Sequence, residues 1–265
     1  MSDSSLFQNT LRDAFRPRRL PVTLLVTLLP ALIGLLWRLL SPAGKFDPEE
    51  VYDSLVPSLI LSFSLTILSV IYSTNILSQE IEQRTIVYLL TRPLARWRIL
   101  LAKFAASLVI VIGITAVSTV LLALALFGVS HFGTAGVAPD LRALAVGALA
   151  YGSLFLLLST LVSRPLIYGL LFVFGWETWV PTLPGAFARL SVMTYLRAIA
   201  AREITPDAPA PDGGGNILLA FGSAPKIEVP VAQAWLVLAG VTVVALSLAL
   251  FIFSTREYAP RDDAE

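Results

Sequence analysis

Apolar runs of roughly 20 residues alternate with short polar islands along this chain, a length matched to a helix crossing a bilayer. The runs cover residues 20–40, 55–77, 104–129, 143–162, 166–183 and 231–253. They predict an all-α membrane protein with six transmembrane helices, arranged as a single transmembrane domain over residues 1–265. Ahead of the first run, Phe7, Leu11 and Phe15 recur every fourth residue among Asn9, Arg12, Asp13 and Arg16, which predicts an interfacial helix over residues 5–16. Residues 184–230 form the one long extramembrane segment. Within it Leu190, Met193, Leu196 and Ile199 recur every third residue with Arg189, Arg197 and Arg202 interspersed, predicting one or two short helices along the outer surface. The stretch 205–216, TPDAPAPDGGGN, predicts a mobile loop.

The polar island at 79–103, QEIEQRTIVYLLTRPLARWRILLAK, differs from the others. Glu80 and Arg84 sit one helical turn apart, Glu80 and Glu82 suit the amide end of a helix, and Ile86 to Leu90 form an apolar cluster. Pro93 then stops any helix, because proline lacks the amide donor. A short interfacial helix over residues 79–91 follows, with a basic exit at Arg92, Arg96, Arg98 and Lys103. Basic residues beside a span mark its cytoplasmic side, so this loop is cytoplasmic.

The ordered set Glu80, Glu82, Thr85, Leu89, Leu90, Thr91, Pro93, Arg96 and Lys103 resembles the first cytoplasmic loop of ABC type 2 transporter permeases, with Arg84 where that family often has glycine. The resemblance implies that residues 79–91 are a coupling helix docking on a separate ATPase, through Glu80, Glu82, Arg84, Thr85, Tyr88, Leu89, Thr91, Arg92, Pro93 and Arg96. Residues 5–16 would then be the family's elbow helix, the outer helices after residue 184 its gate helices, and Arg164 a second contact with the ATPase. As partners the resemblance implies two copies of a cytoplasmic ABC ATPase, which bind the ATP and Mg, and a second permease chain. It favours export, and it includes the branch of permeases used in nitrous oxide reductase copper-site maturation. The substrate is not legible in the sequence.

Composition agrees with membrane residence: 56% of residues are hydrophobic and 14% charged, against about 25% charged in soluble domains. With both termini inside, twelve of the nineteen basic residues fall on the cytoplasmic side, which places the chain in the cytoplasmic (inner) membrane with six crossings. Nucleic acid is not an indicated partner, whereas membrane lipids are. Cysteine is absent and His131 is the single histidine, read as a solvated loop residue, so a thiolate or histidine-rich metal site is excluded. No G-x-x-x-x-G-K-[ST] loop occurs, so the phosphates of ATP are not cradled here in the usual way, and no cofactor or catalytic residue is expected. Six spans are few to surround a pathway, which predicts a pore made by two subunits, identical or similar.

Two features inside the spans are candidates for the pathway. Ser62, Thr66, Ser69 and Ser73 line one face of the second span; such a stripe serves helix packing and, alternatively, a wall of the path. Trp176 and Glu177 end the fifth span. A carboxylate there is costly unless paired or wetted, so Glu177 reads as an outer gate or the partner of an arginine, with an interfacial anchor as the equal alternative. Trp37, Trp176, Trp179 and Trp235 would form an aromatic belt. Two other classes stand beside the permease: a membrane-embedded lipid-modifying enzyme using Glu177, and an ion-driven secondary transporter.

Overall fold

The computed structural model describes residues 20–41, 47–82, 96–128, 136–180, 185–200 and 229–255. Among these, all regular structure is helical, and five helices are long and apolar enough to cross a membrane. Helix α1 is Leu20–Leu40. Helix α2 spans 48–82, passing from α-helix at Pro48–Leu55 through π-helix at Val56–Leu65 to α-helix at Thr66–Glu82. Helices α3 and α4 are Arg96–Phe127 and Val137–Leu161. Helix α5, Pro165–Glu177, is α-helical to Leu171 and π-helical from Phe172. A 3-10 turn at Gly185–Leu190 leads to α6, Val192–Ala200, and α7 is Val231–Thr255.

Helix α4 is the centre of the bundle, packing on α2, α3, α5, α6 and α7. Its small residues explain why. A methyl group at Gly147 would lie 2.5 Å from the Leu65 side chain and 2.9 Å from that of Leu196, so only glycine admits α2 and α6 this closely. Tyr151 and Phe155, stacked with centroids 6.1 Å apart, fill the space one and two turns further on. Helices α1 and α7 are peripheral and expose apolar faces, including Leu25, Leu36, Leu236 and Phe251, as lipid-facing helices do. Polar ties hold α1 in place: Thr23 Oγ1 lies 2.9 Å from Tyr72 Oη, Ser118 Oγ donates to Thr27 O at 2.9 Å, and an Arg38 guanidinium nitrogen donates to Ala125 O at 2.9 Å.

The first span stands at 20–40 as the periodicity predicts, but others begin elsewhere. Helix α2 starts at Pro48 rather than 55, because Asp47 accepts from Glu49 N at 2.9 Å as N-cap and Pro48 occupies the first turn, where its missing amide costs nothing. Charges that read as a loop are therefore a helix start. Helix α3 begins at Arg96 instead of 104; its 32 residues make it about 48 Å long, longer than the ~30 Å hydrocarbon core. Helix α4 begins at Val137 instead of 143, with Pro139 in the first turn, and Asp140 is fully buried, accepting from Tyr52 Oη at 3.0 Å.

Of the fifth predicted span, 166–183, Pro165–Glu177 is a shorter apolar helix whose turns continue through Val180, about 24 Å in all, and residues 181–184 lie outside the described residues. Five full-length candidates stand beside it among the described residues. The outer helices exist as predicted, one 3-10 and one α, yet α6 does not lie along a surface: Met193, Leu196 and Ile199 are buried against α4 and α7. The elbow helix at 5–16, His131 and residues 83–95 of the coupling loop lie outside the described residues. The crossing at Gly147 gives a direct stability expectation. Gly147→Ala should lower stability by about 1–3 kcal/mol through overpacking, while Gly113→Ala, with nothing within 4 Å, should leave it unchanged or raise it. Thermal unfolding in detergent micelles compares the two.

Candidate functional site

Two π-helical stretches face each other across a small cavity between α2, α4, α5 and α6. Val56–Leu65 supplies Ser62 and Phe63, with Thr66 just beyond it; Phe172–Glu177 supplies Val173, Phe174 and Glu177, with Thr178 just beyond; Tyr151 and Met193 complete the wall. A π-turn widens the helix, and the side chains here follow the wider spacing: Ser62 Oγ donates to Pro57 O at 2.8 Å and Thr178 Oγ1 to Val173 O at 3.2 Å, both five residues back. The cavity offers about 20 Å³ for the centres of water-sized molecules, enough for one small group.

Glu177 is the charged member. Its carboxylate, 9% exposed, accepts from Val192 N at 3.1 Å, from Met193 N at 3.5 Å and from Ser191 Oγ. The first-turn amides of a helix have no partner within it, so Glu177 caps α6 from another element and sits at the positive end of that helix's dipole. Ser191 Oγ also accepts from Met193 N at 3.1 Å. Arg197, one turn along α6 from Met193, lies within electrostatic reach of Glu177; burial lowers its pKa, and the neighbouring Tyr151 and Glu177 oppose that shift. Tyr151 is fully buried with its Oη within electrostatic reach of Glu177, and among the described residues it falls short of a well-formed hydrogen bond. The carboxylate is thus an anchored anion between α5 and α6, with its acceptor capacity largely used.

The sequence candidates separate here. Ser62 and Thr66 line the cavity with Glu177, whereas Ser69 and Ser73 lie deeper along the α2–α4 contact, fully or almost fully buried. Ser73 Oγ would sit 3.4 Å from a methyl group on Gly152, and Ser69 Oγ has no partner. The second half of the stripe thus sits at a helix contact. Trp176 does not line the cavity; it is exposed, stacks on Phe172 at 6.3 Å, and donates to Leu190 O at 3.5 Å. Trp37, Trp179 and Trp235 are exposed as a belt requires. Arg164 is exposed where α5 begins, its carbonyl accepting from Ile167 N at 3.2 Å. Glu80 and Glu82 fall on the last turn of α2, and Arg96 opens α3; Arg84, Thr85, Tyr88, Leu89, Thr91, Arg92 and Pro93 lie outside the described residues.

Sequence reasoning missed Tyr151, Ser191 and Met193. Only the Ser191 hydroxyl directly before a helix carried a signal, that of a cap. Arg197, twenty residues on, lies within electrostatic reach of Glu177.

A family model described as ABC-2 family transporter protein matches residues 16–176. No curated protein matches the chain.

Replacing Glu177 should separate its two contributions. Glu177→Leu leaves the α6 amides and Arg197 without the carboxylate and should cost about 3–5 kcal/mol, whereas Glu177→Gln keeps an acceptor oxygen and should cost less, about 1–2 kcal/mol. Chemical denaturation of the two variants beside the parent reads the difference.

Proposed function

This chain belongs to the ABC-2 family of transporter proteins, and we propose that it is the permease subunit of an ATP-driven exporter whose ATPase is a separate chain. The observation that carries the reading is the family match over residues 16–176, a range containing the whole polar island 79–103. Multi-pass helices and membership of this family make it a membrane transport component; the mechanism is our inference.

ATP with Mg binds two copies of the partner ATPase. Their closure pushes on the loop after α2, where Glu80 and Glu82 end that helix and Arg84, Thr85, Tyr88, Leu89, Thr91, Arg92 and Pro93 follow, with Arg96 at the start of α3. Because α2 runs unbroken from this loop to the π-helical wall of the cavity, a push at its cytoplasmic end is delivered to Ser62 and Thr66. Arg164, at the turn before α5, offers a second contact that moves the Glu177 wall. Opposed motion of α2 and α5 opens or closes the cavity between them. A second permease chain, identical or similar, completes the pore in the cytoplasmic membrane, with both termini inside. The anchored state of Glu177, accepting three hydrogen bonds, disfavours its use as the base of a lipid-modifying enzyme.

Reversing both charges in the pair Glu80→Lys and Glu82→Lys should weaken copurification of the ATPase and reduce ATP-dependent transport in proteoliposomes while leaving thermal stability intact. Undiminished ATPase binding and transport in the double variant would contradict the proposal.

A further inference from the structure

The cavity beside Glu177 holds an imbalance of hydrogen-bonding groups. Ser62 Oγ spends its proton on Pro57 O at 2.8 Å, Thr66 Oγ1 on Phe63 O at 3.2 Å and Ser62 O, and Thr178 Oγ1 on Val173 O at 3.2 Å. A hydroxyl has one proton, so all three have only lone pairs left to offer. Glu177, which already accepts three hydrogen bonds, keeps one of its roughly four acceptor sites. Tyr151 Oη, fully buried beside Glu177, adds its lone pairs. Five lining residues therefore present acceptors, and the Tyr151 proton, beside the Glu177 carboxylate, is the one donor left among them.

Phe63, Val173, Phe174 and Met193 make the rest of the wall apolar. The complement of such a site is a small group carrying several N–H donors and a positive charge on an apolar stem. A divalent metal is a poor match, since Glu177 is the one carboxylate in the lining and no cluster of three His, Cys, Asp or Glu occurs among the described residues. Water brings two donors and no charge. An ammonium head brings three, its charge faces Glu177 and the rings of Phe63 and Phe174, and it is about the size of the water molecule that 20 Å³ admits.

We propose that this cavity is a subsite for the primary ammonium head of an amphiphilic amine, which makes a lipophilic primary amine the substrate class. The inference deepens the permease reading above and rests on it. Two groups modulate the charge at Glu177: Arg197 from α6, which lies outside the cavity lining, and Tyr151 from α4. Arg197 balances the carboxylate when the cavity is empty. An entering ammonium group shares the carboxylate with it, so binding is readily reversible, as release on the far side of a membrane requires. The apolar stem leaves along the Phe63 and Phe174 side chains.

Three probes of equal chain length test this on the purified full chain in lipid nanodiscs: hexylamine, hexyltrimethylammonium and hexanol, followed by thermal unfolding. Hexylamine should stabilise saturably, at concentrations about tenfold or more below hexyltrimethylammonium, which is charged but has no N–H. Thr66→Val and Tyr151→Phe each remove an acceptor with little change of volume, and both should weaken the hexylamine effect while leaving that of hexanol unaltered. Equal responses to the three probes, or an unchanged hexylamine response in both variants, would overturn the subsite, because partition into lipid would then explain the effect. The readout is independent of the ATPase. Loss of amine selectivity beside intact ATPase copurification removes the substrate assignment alone; the reverse pattern keeps the subsite and removes the permease reading.

Discussion

A carboxylate placed inside an apolar bundle must be matched by donors, and the arrangement around Glu177 follows from that requirement. Its partners are the first amides of α6 and the hydroxyl of Ser191, groups that would themselves be unsatisfied in a low-dielectric setting. Neither side of this contact is tolerable alone. The chain therefore brings the α6 N-terminus to Glu177 near the end of α5, so that each supplies what the other lacks. Leu196, packed within the Gly147 contact, then fixes α6 against the central helix.

The same junction builds the cavity. Widened turns in α2 and α5 shift hydroxyl pairing to carbonyls five residues back, with Ser62 and Thr178 lining the same cavity as Glu177. Conversion of a π-turn to an α-turn changes the register of the residues beyond it, so these stretches are natural places for a helix to yield. Helix α2 runs from Glu82 to the cavity without a break. Rigid transmission and local compliance thus occupy different parts of one helix.

Much of the fold was readable from hydropathy. The first span falls at residues 20–40 in both readings, and residues 187–202 contain short helices as their spacing predicts. The errors share a cause. Asp47, Glu49 and Glu50, then Arg96 and Arg98, were assigned to loops because they are charged, although helix ends favour just such residues and long helices project beyond the hydrocarbon. Of the site, Glu177, Ser62 and Thr66 were legible as polar residues in apolar runs. Tyr151, an aromatic in an apolar span, carried no distinguishing signal, and the approach of Arg197 to Glu177 is a tertiary contact that no periodicity encodes. The depth of α6 was hidden for the same reason: three-residue spacing marks an apolar face and leaves open whether that face meets lipid, water or another helix.

The central claim is that the Glu177 carboxylate, supplied by α5, satisfies the opening amides of α6. Residue-resolved hydrogen exchange of Val192 and Met193 in lipid nanodiscs measures this directly, with Glu177→Leu as the comparison. Both amides should exchange slowly in the parent protein and markedly faster in the variant, while Leu196 and Ile199 within the helix change much less. Rapid exchange at Val192 and Met193 in the parent, or equal protection in parent and variant, would contradict the account.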